Sequence, residues 1–191
     1  VGPDEGQNRL WGIPFFGIFL RWILVIPHFI LLFFLGIGIY LLIFISWIPV
    51  LINGRQASWA YSLAEAYFTV SLRVGMYISL GTGKYPPFGW TGEHPVNVSF
   101  TRGEPQNRLW GIPFFGVIVR WILLIPHFFV LWILAIVLGL LFLVSWIPVL
   151  VNGRQSEAIV TFLAGFYRWT TRVTAYAILL TGTYPPFRLG D

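Results

Sequence analysis

Cysteine is absent from the 191 residues, and charge is scarce: Asp, Glu, Lys and Arg together make up 10% of the chain. The first absence excludes disulfides, thiolate metal sites and cysteine nucleophiles. The second falls far below the roughly 25% of an ordinary soluble domain. No basic run is long enough to track a phosphate backbone, so nucleic acid is not an expected partner. The net charge of +5 is read instead as topology signalling and contact with anionic headgroups. The opening stretch VGPDEGQNRLWGIP lacks a basic region, an apolar core and a small-residue cleavage site, and is not expected to be a signal peptide. What the chain has in abundance is apolar and aromatic: 57% hydrophobic, 19% aromatic with ten tryptophans, and a mean hydropathy of +0.78. This is a membrane-protein composition with an interfacial aromatic belt.

The chain repeats itself. FLRWILVIPHF at residues 19–29 returns as IVRWILLIPHF at 118–128. Asn8 matches Asn107, Arg55 matches Arg154, Arg73 matches Arg172 and Tyr85 matches Tyr184, always at an offset of 99. The repeats are placed at residues 7–88 and 106–187, with a polar linker at 89–105. Each contains two runs long enough to cross about 30 Å of hydrocarbon: 27–49 and 57–80 in the first, 126–148 and 156–180 in the second. Asn-Gly in INGRQ and VNGRQ supplies tight turns between them. Residues 10–26 and 109–125 are broken by proline, glycine and arginine, and are expected as interfacial amphipathic helices, with a re-entrant segment as the alternative.

The expected fold is therefore an all-α membrane protein of four transmembrane helices, arranged as two tandem parallel two-helix repeats about an axis along the membrane normal. Basic residues in the loops put both termini and the linker on the cytoplasmic side of the inner membrane.

Taken together, NRLWGIPFFGIFLRWILVIPH, NGRQ, LRVGMYISL and GKYPPF resemble an uncharacterised bacterial membrane-domain family known only as a domain of unknown function. Its pattern runs Asn-Arg-Leu, Arg, Ile-Pro-His, Gly-Arg, Arg-Val-x-x-Tyr, Tyr-Pro-Pro-Phe, and it covers nearly the whole chain twice. Where that family often has Gly-Arg-Tyr-Pro at the turn, both copies here have Gly-Arg-Gln. The resemblance implies a multi-span helical fold, and no activity, cofactor or catalytic residue.

The candidate functional residues are intramembrane ionisable groups. Arg21 and Arg120 read as snorkelling anchors or as clamps for a lipid phosphate. His28 and His127 read as interfacial histidines, proton relays, or ligands to a pigment or metal; without nearby Cys or carboxylate the metal signal is weak. Arg73 and Arg172, with Tyr77 and Tyr176 one turn on, read as polar glue between helices. Glu65 and Arg168 break the repeat symmetry, standing opposite Ala164 and Thr69, and are expected to form an inter-repeat ion pair. GTGKYPPF fails as a phosphate loop because Tyr85 follows Lys84.

No metal, cofactor or catalytic set is expected. The reading is a non-catalytic accessory or scaffold subunit packing against lipids and a larger membrane complex, with a small transporter or channel between the repeats as the alternative. A lipid enzyme is the weakest class, for want of a nucleophile or carboxylate cluster.

Overall fold

The computed structural model describes residues 6–190. Residues 1–5, which open the stretch examined for a signal peptide, and Asp191 lie outside the described residues. A 3-10 turn, Arg9–Gly12, is capped by the Asn8 side chain and leads into α1 (Phe16–Leu24), α2 (Ile26–Ile45), α3 (Trp47–Asn53) and α4 (Ser58–Ile78). The second repeat copies this with a turn at Arg108–Gly111 and α5 (Phe115–Leu123), α6 (Ile125–Val144), α7 (Trp146–Asn152) and α8 (Glu157–Ala177). There is no strand among the described residues.

Local chemistry explains the breaks. Pro27 and Pro126 sit in the first turn of α2 and α6, where a missing N–H leaves no helical bond unmade. Pro49 falls in the first turn of α3, so the run expected as one span bends at Ser46. Gly54 and Gly153 end α3 and α7 at φ +66° and +67°, the left-handed conformation that glycine adopts without a Cβ penalty. The segment expected as one interfacial helix is two pieces, parted at Phe15, where φ is 62°.

The two faces of α4 have different neighbours. Leu63 and Tyr67 lie against the glycines Gly38 and Gly36 of α2, and Val70 and Val74 pack with Leu31, Leu32 and Leu35. Glu65, Thr69 and Arg73 fall on the opposite stripe of the helix and bind the linker: Glu65 at Phe100, Thr69 at Val98, Arg73 at Val96. On the α2 side, Phe142 of α6 joins the Val70–Val74 cluster and Ile43 of α2 joins one containing Ala175 of α8 and Ile178 just past its end. The result is a central layer of α4 and α8, an outer layer of α2 and α6 on one side, and the linker on the other.

This overturns the expected parallel arrangement. Gln106 N bonds Gly54 O and Gln7 N bonds Gly153 O, both at 2.7 Å. The start of each repeat thus meets the tight turn of the other, and Tyr61 near the start of α4 donates to Leu180 O beyond the end of α8. The repeats are antiparallel. The linker does not stay at one end; it returns along α4 from Arg73 past Glu65 to the turn at Gly54. Seventeen residues reach about 56 Å when extended, well beyond the roughly 32 Å of a 21-residue helix. Termini and linker on a single face therefore do not follow.

Among the described residues, two helices are long and apolar enough to cross a membrane, Ile26–Ile45 and Ile125–Asn152, the latter taken through the bend into α7. The residues expected as a second pair of spans form the shielded layer of α4 and α8.

Candidate functional site

Arg21 on α1 is fully buried. Its guanidinium donates to Tyr77 O, to Thr82 O at 2.8 Å and to Gln7 Oε1 at 2.9 Å, and it lies over the rings of Tyr77 and Trp11 at 4.4 and 5.0 Å. Arg120 repeats this with Tyr176 O, Thr181 O, Gln106 Oε1, Tyr176 and Trp110. Each arginine caps the carboxyl end of α4 or α8, where unpaired carbonyls and the helix dipole favour a cation. Burial pulls both guanidiniums down to about 10 against the opposing influence of the neighbouring tyrosine; both stay cationic at neutral pH. These are internal caps, neither snorkelling anchors nor phosphate clamps. α1 turns its arginine inward and leaves Phe15, Phe19 and Trp22 exposed.

The same corner holds a network that the sequence argument missed. Leu80 and Leu179 follow α4 and α8 with φ of 61° and 63°, a region uncommon for residues with a Cβ. The Leu80 carbonyl accepts from Gln7 and Gln155, and the Leu179 carbonyl from Gln106 and Gln56. Each carbonyl therefore binds one glutamine from its own repeat and one from the other. The available signal was that all four glutamines keep the offset of 99.

His28 and His127 are buried at the heads of α2 and α6. His28 Nε2 meets Pro86 O at 2.9 Å, and its ring stacks on Phe88 at 4.4 Å with Tyr85 edge-on. His127 stacks on Phe187 at 3.7 Å, and its Nδ1 accepts from Trp169 Nε1 at 3.0 Å. An indole N–H only donates, so His127 is held neutral with its proton on Nε2. Tyr85 and Tyr184 donate to Leu24 O and Leu123 O. Tyr-Pro-Pro-Phe is thus a cover folded over each histidine, closing each repeat on its own beginning.

Arg73, fully buried, gathers the linker: it donates to Gly89 O, Val96 O and Asn97 Oδ1. Arg172 gathers the C-terminal segment in the same way, donating to Arg188 O and Gly190 O. The expected partners Tyr77 and Tyr176 serve Arg21 and Arg120 instead. Glu65, expected to pair with Arg168, has partners in the linker. Glu65 Oε2 pairs with Arg102 at 2.6 Å and Oε1 accepts from Phe100 N. The linker lies along this face of α4 and brings its own cation. Arg168 lines a cleft of about 390 Å³ between the linker and α8.

An all-helical duplicated unit, closed at both corners by buried cations and carrying two long apolar helices, is the class of protein that this geometry defines. The family described as Domain of unknown function (DUF4389) matches residues 17–89 and 116–188, and the chain belongs to that family as a tandem duplication. No curated protein and no solved structure matches the chain.

Proposed function

We propose that this is a non-catalytic integral membrane protein. It embeds its α1, α2, α5 and α6 side in one leaflet, helices lying flat, and offers the linker side to a partner subunit of a larger membrane complex. The observation that carries this reading is the two-sidedness. Phe33, Phe34, Leu140 and Leu143 on the outer layer are each more than 60% exposed, and contiguous exposed apolar surface marks membrane or partner contact. The opposite side carries the polar linker with Arg102, Glu93 and Lys84. Crossing by α2 and α6 would draw this extended chain through hydrocarbon beside α4, where lipid-exposed irregular backbone does not occur. The excess of basic residues favours the cytoplasmic leaflet. A solute pathway between the repeats needs a polar route along their whole seam, and Ala60, Tyr61, Ala64, Ala175 and Ile178 pack one end of it.

Single cysteines at Arg55 and Lys84, exposed at opposite ends of the first hairpin, test the orientation against a cysteine-free background. An impermeant maleimide added outside cells should reach neither, and both should react in inverted vesicles. Reaction of one position from each side would establish crossing and sink the flat orientation. Purification from native membranes should retain a stoichiometric partner; a chain that is always isolated alone refutes the accessory role.

A further inference from the structure

The two repeats are not packed alike. In the first, Ala60 and Ala64 of α4 let α2 come close, and Ile39 and Leu42 are buried against them. Small residues four apart allow helices this approach. Their counterparts in the second repeat are Ile159 and Leu163, side chains that hold a neighbouring helix away. Leu138 and Leu141, the counterparts of Ile39 and Leu42, are only partly buried. At the position of Tyr40, α6 has Gly139, whose missing Cβ would meet nothing within 4 Å.

The outcome is an open cavity of about 400 Å³, within the roughly 300–1,000 Å³ of small-ligand sites. Its walls are Trp22, Ile78, Leu138, Phe142, Ile159 and Leu163. Three hydroxyl-bearing side chains line it, Ser79, Ser145 and Tyr167. Ser79 Oγ donates to Gly75 O and Ser145 Oγ to Phe142 O, so both serines are spent on their own helices. One phenol in an otherwise apolar wall leaves the cleft favouring hydrocarbon over a polar solute. It opens beside the exposed flank of α6, where Ile136 and Leu140 are exposed.

We propose that this cleft, and not its closed counterpart in the first repeat, holds one hydrocarbon chain of a bilayer lipid. The inference rests on the membrane reading above, since the same apolar face supplies the occupant. The difference between the closed contact of the first repeat and the lipid seat of the second lies in the larger Ile159 and Leu163 at the positions of Ala60 and Ala64.

The test uses the full chain in phosphatidylcholine vesicles doped with phosphatidylcholine carrying a diazirine midway along one acyl chain. After irradiation, labelled residues are mapped by mass spectrometry. Ile159 and Leu163 should be labelled to a saturating level of one per chain, and Gly139→Phe or Ala135→Leu should cut this at least threefold. Labelling of Phe33 and Phe34 should be unchanged in both variants. Labelling of Phe33 and Phe34 without Ile159 and Leu163, or groove labelling indifferent to both variants, overturns the proposal and leaves the membrane reading standing. Absence of label from Phe33, Phe34 and Leu140 as well removes both. A dimer that Gly139→Phe abolishes, with Leu163 unlabelled, assigns the cleft to a second copy and also overturns it.

Discussion

At the scale of single residues, the chain keeps arginine and histidine among apolar neighbours because helix ends and exits need partners inside the protein. Arg21 serves two carbonyls, one amide oxygen and two rings at once. Replacement Arg21→Met removes the charged donor shared by the Tyr77 and Thr82 carbonyls and Gln7 Oε1, and should cost about 3 kcal/mol in detergent unfolding. Arg21→Lys should recover little, because an ammonium cannot reproduce a planar fork serving acceptors on several sides. A lysine variant as stable as the wild type would refute the capping role. Arg102 differs: its side chain is half exposed in the ion pair with Glu65. Arg102→Ala should cost less than about 1 kcal/mol, and a larger loss in the same melts would show the linker to depend on that bridge.

At the scale of elements, the fold turns on the residues that set helix separation. Ala60 and Ala64 are completely buried, so a larger side chain there must push α2 off α4. Ala64→Leu should destabilise by about 1–3 kcal/mol through overpacking, measured as a lower unfolding midpoint. Although leucine occupies the matching position of α8, its tolerance there reflects a helix already held apart. An unchanged midpoint would mean that α2 can move away freely. Gly12 and Gly111 have a related role between repeats: a Cβ on either would fall 2.3 or 2.2 Å from the backbone of Leu150 or Leu51. Each repeat's first turn thus lies directly on the other's short helix.

At the scale of the whole molecule, the halves are held by reciprocal contacts: glutamines shared across both corners, α3 on the second 3-10 turn, α7 on the first. The linker tethers them and also covers α4. Opening the chain at exposed Gly92, with residues 1–91 and 92–191 produced together, should leave the halves associated. Affinity capture of a tagged first half in detergent should bring down the second in equal amount. Recovery of the first half alone would show that the tether, and not the interface, makes the pair.

The sequence by itself determined the duplication, the helical class, the turns at Asn-Gly and the apolar runs that became α2 and α6. Those features depend on contacts within a few residues, on periodicity, proline and glycine. It also singled out Arg21, His28, Arg73 and their copies, because an ionisable group among apolar neighbours is costly enough to stand out unaided. Only the tertiary structure decided what those residues touch. Tyr77 lies one turn from Arg73 yet belongs to Arg21, and Glu65 found Arg102 in a segment read as a polar linker. The direction of one repeat against the other was also undecided by pattern, since the same buried stripes can be covered by a parallel or an antiparallel neighbour. A linker that returns along α4 settles it, together with glutamines that bridge the repeats between residues more than seventy positions apart.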